Sequence, residues 1–265
     1  MKEYIIRGGT VGRERLRLLA SAMAPFTGAL FDDAGISPGM RVLDAGCGGG
    51  DVTRELARRV GPKGHALGMD MDAVEIELAR SEAAADAIGN VAYRAGNILT
   101  DAIGERFDAI YARFLLSHLA QPEAGLARLV ACARPGGLIL VEDVDFSGHF
   151  CSPPRESFSD YVRWYEQSAL RRGVDCHIGP RLPALFADAG LALLGARAVN
   201  PAAIDGPIKQ MAAATLAAIA DTVVSLEIAT RNEIETALAD LTAATADPRV
   251  FMSMPRIVQC WARVA

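Results

Sequence analysis

One stretch constrains this chain more than any other: Arg41-Val-Leu-Asp-Ala-Gly-Cys-Gly-Gly-Gly-Asp51. A short apolar run ends at Asp44, four glycines stand between positions 46 and 50, and a helical pattern opens at Asp51. This reads as a buried strand, a tight turn and a helix N-terminus. Glycine has no Cβ, so a ligand can come close to the backbone of such a turn. The first N–H groups of the helix lack intrahelical partners and can face a polar ligand. The spacing also separates ligand classes. A dinucleotide fingerprint, G-x-G-x-x-G, counted from Gly46 would put its third glycine at 51, where Asp51 stands. The pattern is instead D-x-G-x-G-x-G over Asp44, Gly46, Gly48 and Gly50. Acids in this turn repel a pyrophosphate. They suit a ligand that carries an amino group, hydroxyls and a positive centre.

Around this stretch, apolar runs alternate with helical patterns. A helix begins at Val11, with Leu16, Leu19, Ala20 and Met23 on one face, and Pro25 is expected to break or restart it. Helix Asp51–Val60 leads through a turn to a second strand, His65–Asp70. Asp72 is suited to cap the next helix, which runs to about Ala87. Strands follow at Val91–Ala95, Phe107–Ala112 and Leu138–Glu142, with a helix at Pro122–Ala133 before the last of them. This alternation predicts a doubly wound parallel α/β sheet. Residues 146–178 interrupt it with an aromatic-rich helix. Helix Arg181–Ala189, strand Leu191–Val199, a helical region from Gly206 to about Ala246 split near Thr230, and strand Val258–Val264 complete the chain. Long additions to a compact core are usually lids or binding segments.

The 265 residues are 51% hydrophobic, enough for one large α/β domain. The net charge of −5 and the lack of a basic run argue against a nucleic-acid partner. No apolar stretch is long enough to span a bilayer, and Met1-Lys-Glu-Tyr4 has no signal-peptide core, so no membrane partner and a cytoplasmic location are expected. The five scattered cysteines fit reduced thiols. His149, Cys151, Cys176 and His177 lack the spacing of a zinc site, and no metal is expected.

The glycine-rich segment resembles motif I of the class I S-adenosylmethionine (SAM)-dependent methyltransferases, and the likeness extends over residues 40–142. It implies a Rossmann-like, seven-stranded, mostly parallel sheet with the last strand antiparallel. It also implies one methyltransferase domain over 1–265, with a SAM-binding core at 36–145 and helical cap or substrate segments at 1–35, 146–178 and 205–246. In open α/β sheets ligands sit beyond the carboxyl ends of the strands. On the family's pattern, Asp44 and the Gly46-Cys47-Gly48 turn hold the cofactor, and Asp70 accepts hydrogen bonds from both ribose hydroxyls. Asn97, after Gly96, stands where the family usually has an acid for the adenine amino group; its carbonyl can still accept that bond. Ile98 and Met71 would flank the adenine, and Arg113 would pair with the cofactor carboxylate. The segment around Tyr4 looks like a lead-in whose tyrosine folds over the cofactor.

SAM brings an already electrophilic methyl group, so the protein must chiefly orient an acceptor and exclude water. A base is required only if the acceptor keeps its proton. His118 is the best-placed candidate base. Glu142 and Asp143 at the end of the fifth strand, with His149, Tyr161, Trp164 and His177 in the insertion, are candidates to face the acceptor. The expected activity is methyl transfer to a small organic molecule of the secondary-metabolite or quinone type. A SAM-binding scaffold without transfer activity is the alternative. Carbon, oxygen and nitrogen acceptors all remain open, as does a homo-oligomer paired through the cap helices.

Overall fold

The computed structural model describes residues 9–265, with side chains from residue 12 onward. Its helices are α1 (Gly9–Ala34), α2 (Asp51–Val60), α3 (Ala73–Ala85), α4 (Pro122–Cys132), α5 (Glu156–Arg172), α6 (Leu182–Asp188), α7 (Gly206–Ser225) and α8 (Arg231–Ala246). The main sheet is built from β1 (Arg41–Ala45), β2 (His65–Asp70), β3 (Val91–Ala95), β4 (Phe107–Arg113) and β5 (Ala133–Asp145). The remaining strands are β6 (Cys151–Ser152), β7 (Ala192–Val199), β8 (Ala202–Ala203), β9 (Phe251–Ser253) and β10 (Arg256–Arg263).

Seven strands pair in the order β3-β2-β1-β4-β5-β10-β7, and β10 alone runs antiparallel to its neighbours β5 and β7. This is the fold expected from the sequence. The order reverses between β1 and β4, which opens a crevice at their carboxyl ends. Alternation along the strands feeds two cores. Val42, Ala109, Tyr111 and Leu140 pack with Leu56 and Val60 of α2 and with Leu30 and Phe31 of α1. Leu43, Ile110 and Val141 pack on the other side with Leu126 and Leu129 of α4 and Phe186 of α6. A third core, above the strand ends, joins Leu19 and Met23 of α1, Tyr161 and Trp164 of α5, Leu216 and Ile219 of α7, and Ile234 and Leu241 of α8.

The cap expected at Asp72 holds at the level of single bonds. Asp72 caps α3 by accepting from Val74 N at 2.9 Å and Glu75 N at 3.3 Å. Thr230 and Glu233 form a reciprocal capping box that starts α8. One expectation does not hold. Pro25 does not break α1, which runs unbroken for 26 residues. The proline removes one N–H from the ladder, and burial of Met23, Leu30 and Phe31 on either side holds the helix together. The small antiparallel sheet β6-β9-β8 was not expected. Its strands of two or three residues are too short to carry a periodic signal.

Glu142 ties the sheet to α1. It is fully buried at the end of β5. Its Oε1 accepts from Thr27 Oγ1 of α1 at 2.7 Å and Tyr111 Oη of β4 at 2.5 Å, and its Oε2 accepts from Gln259 Nε2 of β10 at 2.5 Å. Three donors from three elements thus compensate one desolvated carboxylate. Gln259→Leu, which strands one of those oxygens, should lower stability by about 1.5–3 kcal/mol. A urea titration should show a lower midpoint with an unchanged slope.

Candidate active site

The glycine turn directs its own donors inward. Gly46 N and Cys47 N both donate to Met69 O, at 2.8 and 3.1 Å, and Gly50 N donates to Cys47 O at 3.0 Å. Gly48 N donates to Asp70 Oδ2 at 2.9 Å. A phosphate cradle needs such amides unspent and aimed at the ligand; here they are used. Gly50 has φ +75°, and a Cβ there would stand 2.5 Å from Cε1 of Tyr93, so the turn cannot form with a larger residue.

What the turn offers instead is carboxylate oxygen. Asp44, 3% exposed at the end of β1, accepts from Thr53 Oγ1 at 2.6 Å. Burial raises its pKa to about 6, against the pull of Thr53 and Arg113. Asp70 at the end of β2 accepts from Gly48 N and, through Oδ1, from Asp72 N at 2.9 Å. Burial pushes its carboxyl above the ordinary value in spite of those two bonds. Asp51 plays no such part. Arg13 grips it at 2.5 and 2.8 Å and Arg54 at 2.8 Å, so its charge is neutralised at the start of α2.

These groups form the floor of a cavity of about 440 Å³, within the size range of small-molecule sites. One end is lined by Met71, Asp72, Glu75, Gly96, Asn97 and Ile98. At and after the end of β4 the wall is Arg113, Phe114, Leu115, Ser117 and His118. Phe114 has φ +53°, a left-handed conformation that turns the chain sharply after β4. The roof is Gly12, Arg15, Leu16 and Leu19 of α1 and Met211, Ala212 and Thr215 of α7. Phe146, His149, Tyr161 and Tyr165 close the remaining side.

This half is aromatic and holds two neutral histidines. His149 Nδ1 lies 3.1 Å from Phe146 O, which makes it the donor and leaves Nε2 unprotonated. Phe146 stacks on Tyr165 with ring centres 4.0 Å apart, and His149 meets the Tyr161 ring edge-on at 5.7 Å. Burial lowers the pKa of His149 to about 4. Burial, with Arg15 close by, does the same to His118. Arg15 Nε donates to Thr215 Oγ1 at 3.2 Å.

The cavity gathers Asp44, Gly46, Cys47, Gly48, Asp70, Met71, Gly96, Asn97, Ile98, Arg113, His118, His149 and Tyr161 from the residues singled out by sequence. Tyr4 lies outside the described residues. Four others do not line it. Glu142 is spent on Thr27, Tyr111 and Gln259. Asp143 accepts from Ser117 N at 3.1 Å and its neighbour Val144 N at 2.9 Å, so it holds the turn that carries His118 rather than a ligand. Trp164, 4% exposed, is on the core side of α5. His177 turns outward, 3.2 Å from Asp145 and 3.4 Å from Glu166. Asn97 is partly committed: its Oδ1 accepts from Leu99 N at 2.9 Å, which leaves that oxygen one further lone pair.

Sequence reasoning missed Glu75, Arg15, Phe146 and Thr215. Glu75 sits three residues after its helix cap and reads as an ordinary first-turn acid. Arg15 and Thr215 lie on helices more than 190 residues apart, and no local pattern joins them.

The methyltransferase-domain family model matches residues 36–172. The ubiquinone biosynthesis O-methyltransferase of Hahella chejuensis is 35% identical over 144 residues, 54% of this chain and 57% of that protein. The ubiquinone/menaquinone biosynthesis C-methyltransferase of Vibrio cholerae is 30% identical over 132 residues, 49% of this chain and 50% of that protein. The chain thus spans about half the length of these curated relatives. Among solved structures, coclaurine N-methyltransferase bound to N-methylheliamine and SAH shares the fold, with a TM-score of 0.60 at 16% identity over 91% of this chain and 72% of that one. Among the described residues, no helix is long and apolar enough to cross a membrane, and no group of three or more His, Cys, Asp or Glu is placed to hold a metal ion.

Asp44 should make the binding of a cationic ligand depend on pH. A positive charge beside it favours the ionised form, so binding must expel the proton that Asp44 takes up as pH falls through about 6. SAM affinity should therefore be flat in Asp44's contribution above that pH and weaken below it, by up to about tenfold per pH unit. Asp70 and Glu75 titrate in the same cavity, so the comparison is with Asp44→Asn. Calorimetry across this range should find weaker binding at neutral pH in the variant and a shallower slope; identical slopes would exclude Asp44.

Proposed function

This chain belongs to the methyltransferase-domain family, and on that footing we propose that it transfers the methyl group of SAM to a small organic acceptor with a flat, apolar body. The observation that carries this reading is the floor of the cavity: carboxylates at the ends of β1 and β2 beside a glycine turn in which the amides of Gly46, Cys47, Gly48 and Gly50 are already used. That surface is built from acceptors. It fits a ligand with hydroxyls, an ammonium and a sulfonium, and opposes a phosphate.

Bound here, SAM supplies a methyl group activated by its positive sulfur. The protein's residues do the rest. Asp70 accepts a ribose hydroxyl, and Asp44 faces the positive charge. Ile98 and Met71 flank the adenine, while the open lone pair of Asn97 takes its amino group. Arg113, in the wall at the end of β4, pairs with the cofactor carboxylate. The roof from α1 and α7 excludes water, and Phe146, Tyr161 and Tyr165 align a planar acceptor. Holding two reactants in line in this way can lower a barrier by roughly 7–11 kcal/mol. For an acceptor that keeps its proton, His118 accepts it; His118 and His149 are both uncharged at neutral pH, the state in which a ring nitrogen can take a proton.

The aromatic cap supports a quinone-type or secondary-metabolite acceptor, and the names of the Hahella and Vibrio relatives point the same way. Incubation with methyl-labelled SAM and a panel of quinols, phenols and aromatic amines should label at least one. Asp70→Ala should weaken S-adenosylhomocysteine (SAH) binding at least tenfold in calorimetry. Failure of the wild-type protein to bind either SAM or SAH would end this reading. Binding without transfer to any acceptor would favour a SAM-holding scaffold.

A further inference from the structure

Glu75 is an anomaly in the cavity wall. It lies in the first turn of α3, is 3% exposed, and neither carboxylate oxygen has a hydrogen-bond partner. It lines the cavity beside Asp70 and Asp72. Burial, together with the charges of Asp72, Asp70 and Asp51, raises its pKa to about 7 in spite of Arg13. Arg13 does not rescue it. Four of the five donors of that guanidinium are taken, by Asp51 at 2.5 and 2.8 Å and by Glu82 at 2.8 and 2.5 Å, and none bonds Glu75. A carboxyl group stripped of water without a partner is costly, and few native side chains are left that way. A methionine of similar length would remove the cost. Two buried, unpartnered acceptor oxygens on a side chain that lines a ligand cavity imply that the missing donors come with the ligand.

We infer that Glu75 is a second carboxylate for the sugar end of the cofactor, accepting a ribose hydroxyl beside the one held by Asp70. This rests on the SAM reading above. Each Asp70 oxygen already accepts one backbone N–H, from Gly48 and from Asp72. A single added hydroxyl per oxygen would saturate it. Glu75 brings unspent acceptor capacity to the same end of the cavity. The adenine amino group has Asn97 at its place and the ammonium chain lies toward Arg113, so the sugar hydroxyls are the donors left for Glu75. The side chain is thus a binding residue kept at the expense of the free protein's stability, a trade known from other functional sites.

The test combines calorimetry with thermal unfolding of the full chain. Ligands are SAH and its 2′-deoxy and 3′-deoxy analogues; proteins are wild type, Glu75→Met and Glu75→Gln. Glu75→Met should bind SAH at least tenfold more weakly, yet unfold at a higher temperature than wild type without ligand. Glu75→Gln, which keeps one acceptor, should fall between them in affinity. The loss should disappear for the deoxy analogue that lacks the hydroxyl held by Glu75. Unchanged SAH affinity in both variants would overturn the inference. So would an equal loss for SAH and both analogues, which would place the donor elsewhere. A lower unfolding temperature with unchanged affinity would mark Glu75 as a structural acid. If wild type binds SAH in none of these titrations, the SAM reading itself fails, and this inference fails with it.

Discussion

The hydrogen bond from Gly48 N to Asp70 closes the glycine turn onto the end of the neighbouring strand, and the character of the cavity follows from it. With the paired donation of Gly46 and Cys47 to Met69 O, it uses three of the turn's own backbone donors. The same bond fixes a carboxylate at the cavity floor. Asp44 stands next to it, held by Thr53. Two acids side by side in a desolvated place both have raised pKa values. They are costly to the empty protein, and a ligand with positive charge and hydroxyl donors relieves that cost.

Floor and roof come from different parts of the chain. The family match covers residues 36–172, which hold β1 to β5 and α5. All of α1, α7 and α8 fall outside it. Glu142 joins the two parts by accepting from Thr27, which anchors the second half of α1 to the sheet while its first half covers the cavity. The cofactor end is therefore set by local chemistry around short turns. The acceptor end depends on how separate helices pack.

That division explains what the sequence made legible. The strand–turn–helix at 41–51, the acid ending β2, the cap at Asp72 and the break near Thr230 rest on contacts a few residues apart, and each was readable. The parallel sheet followed from alternation, and its antiparallel β10 from the family likeness. The acceptor side was read less well because its contacts are distant. Trp164 and Tyr161 sit on one aromatic helix, yet only Tyr161 lines the cavity, and composition could not tell them apart. Glu142 and Asp143 looked like ligand acids because they end a strand. Their actual partners, Thr27, Gln259 and Ser117, come from elements distant in sequence. Glu75 escaped notice because a first-turn glutamate is common, and its lack of a partner exists only in three dimensions.

The measurement that bears most directly on the acceptor-rich floor is a paired titration of the unliganded protein with SAH and with ADP. Both carry adenosine, and they differ in an ammonium-bearing chain against a diphosphate. A floor of Asp44, Asp70 and spent amides should bind SAH and give no heat with ADP. ADP binding as tightly as SAH would contradict it.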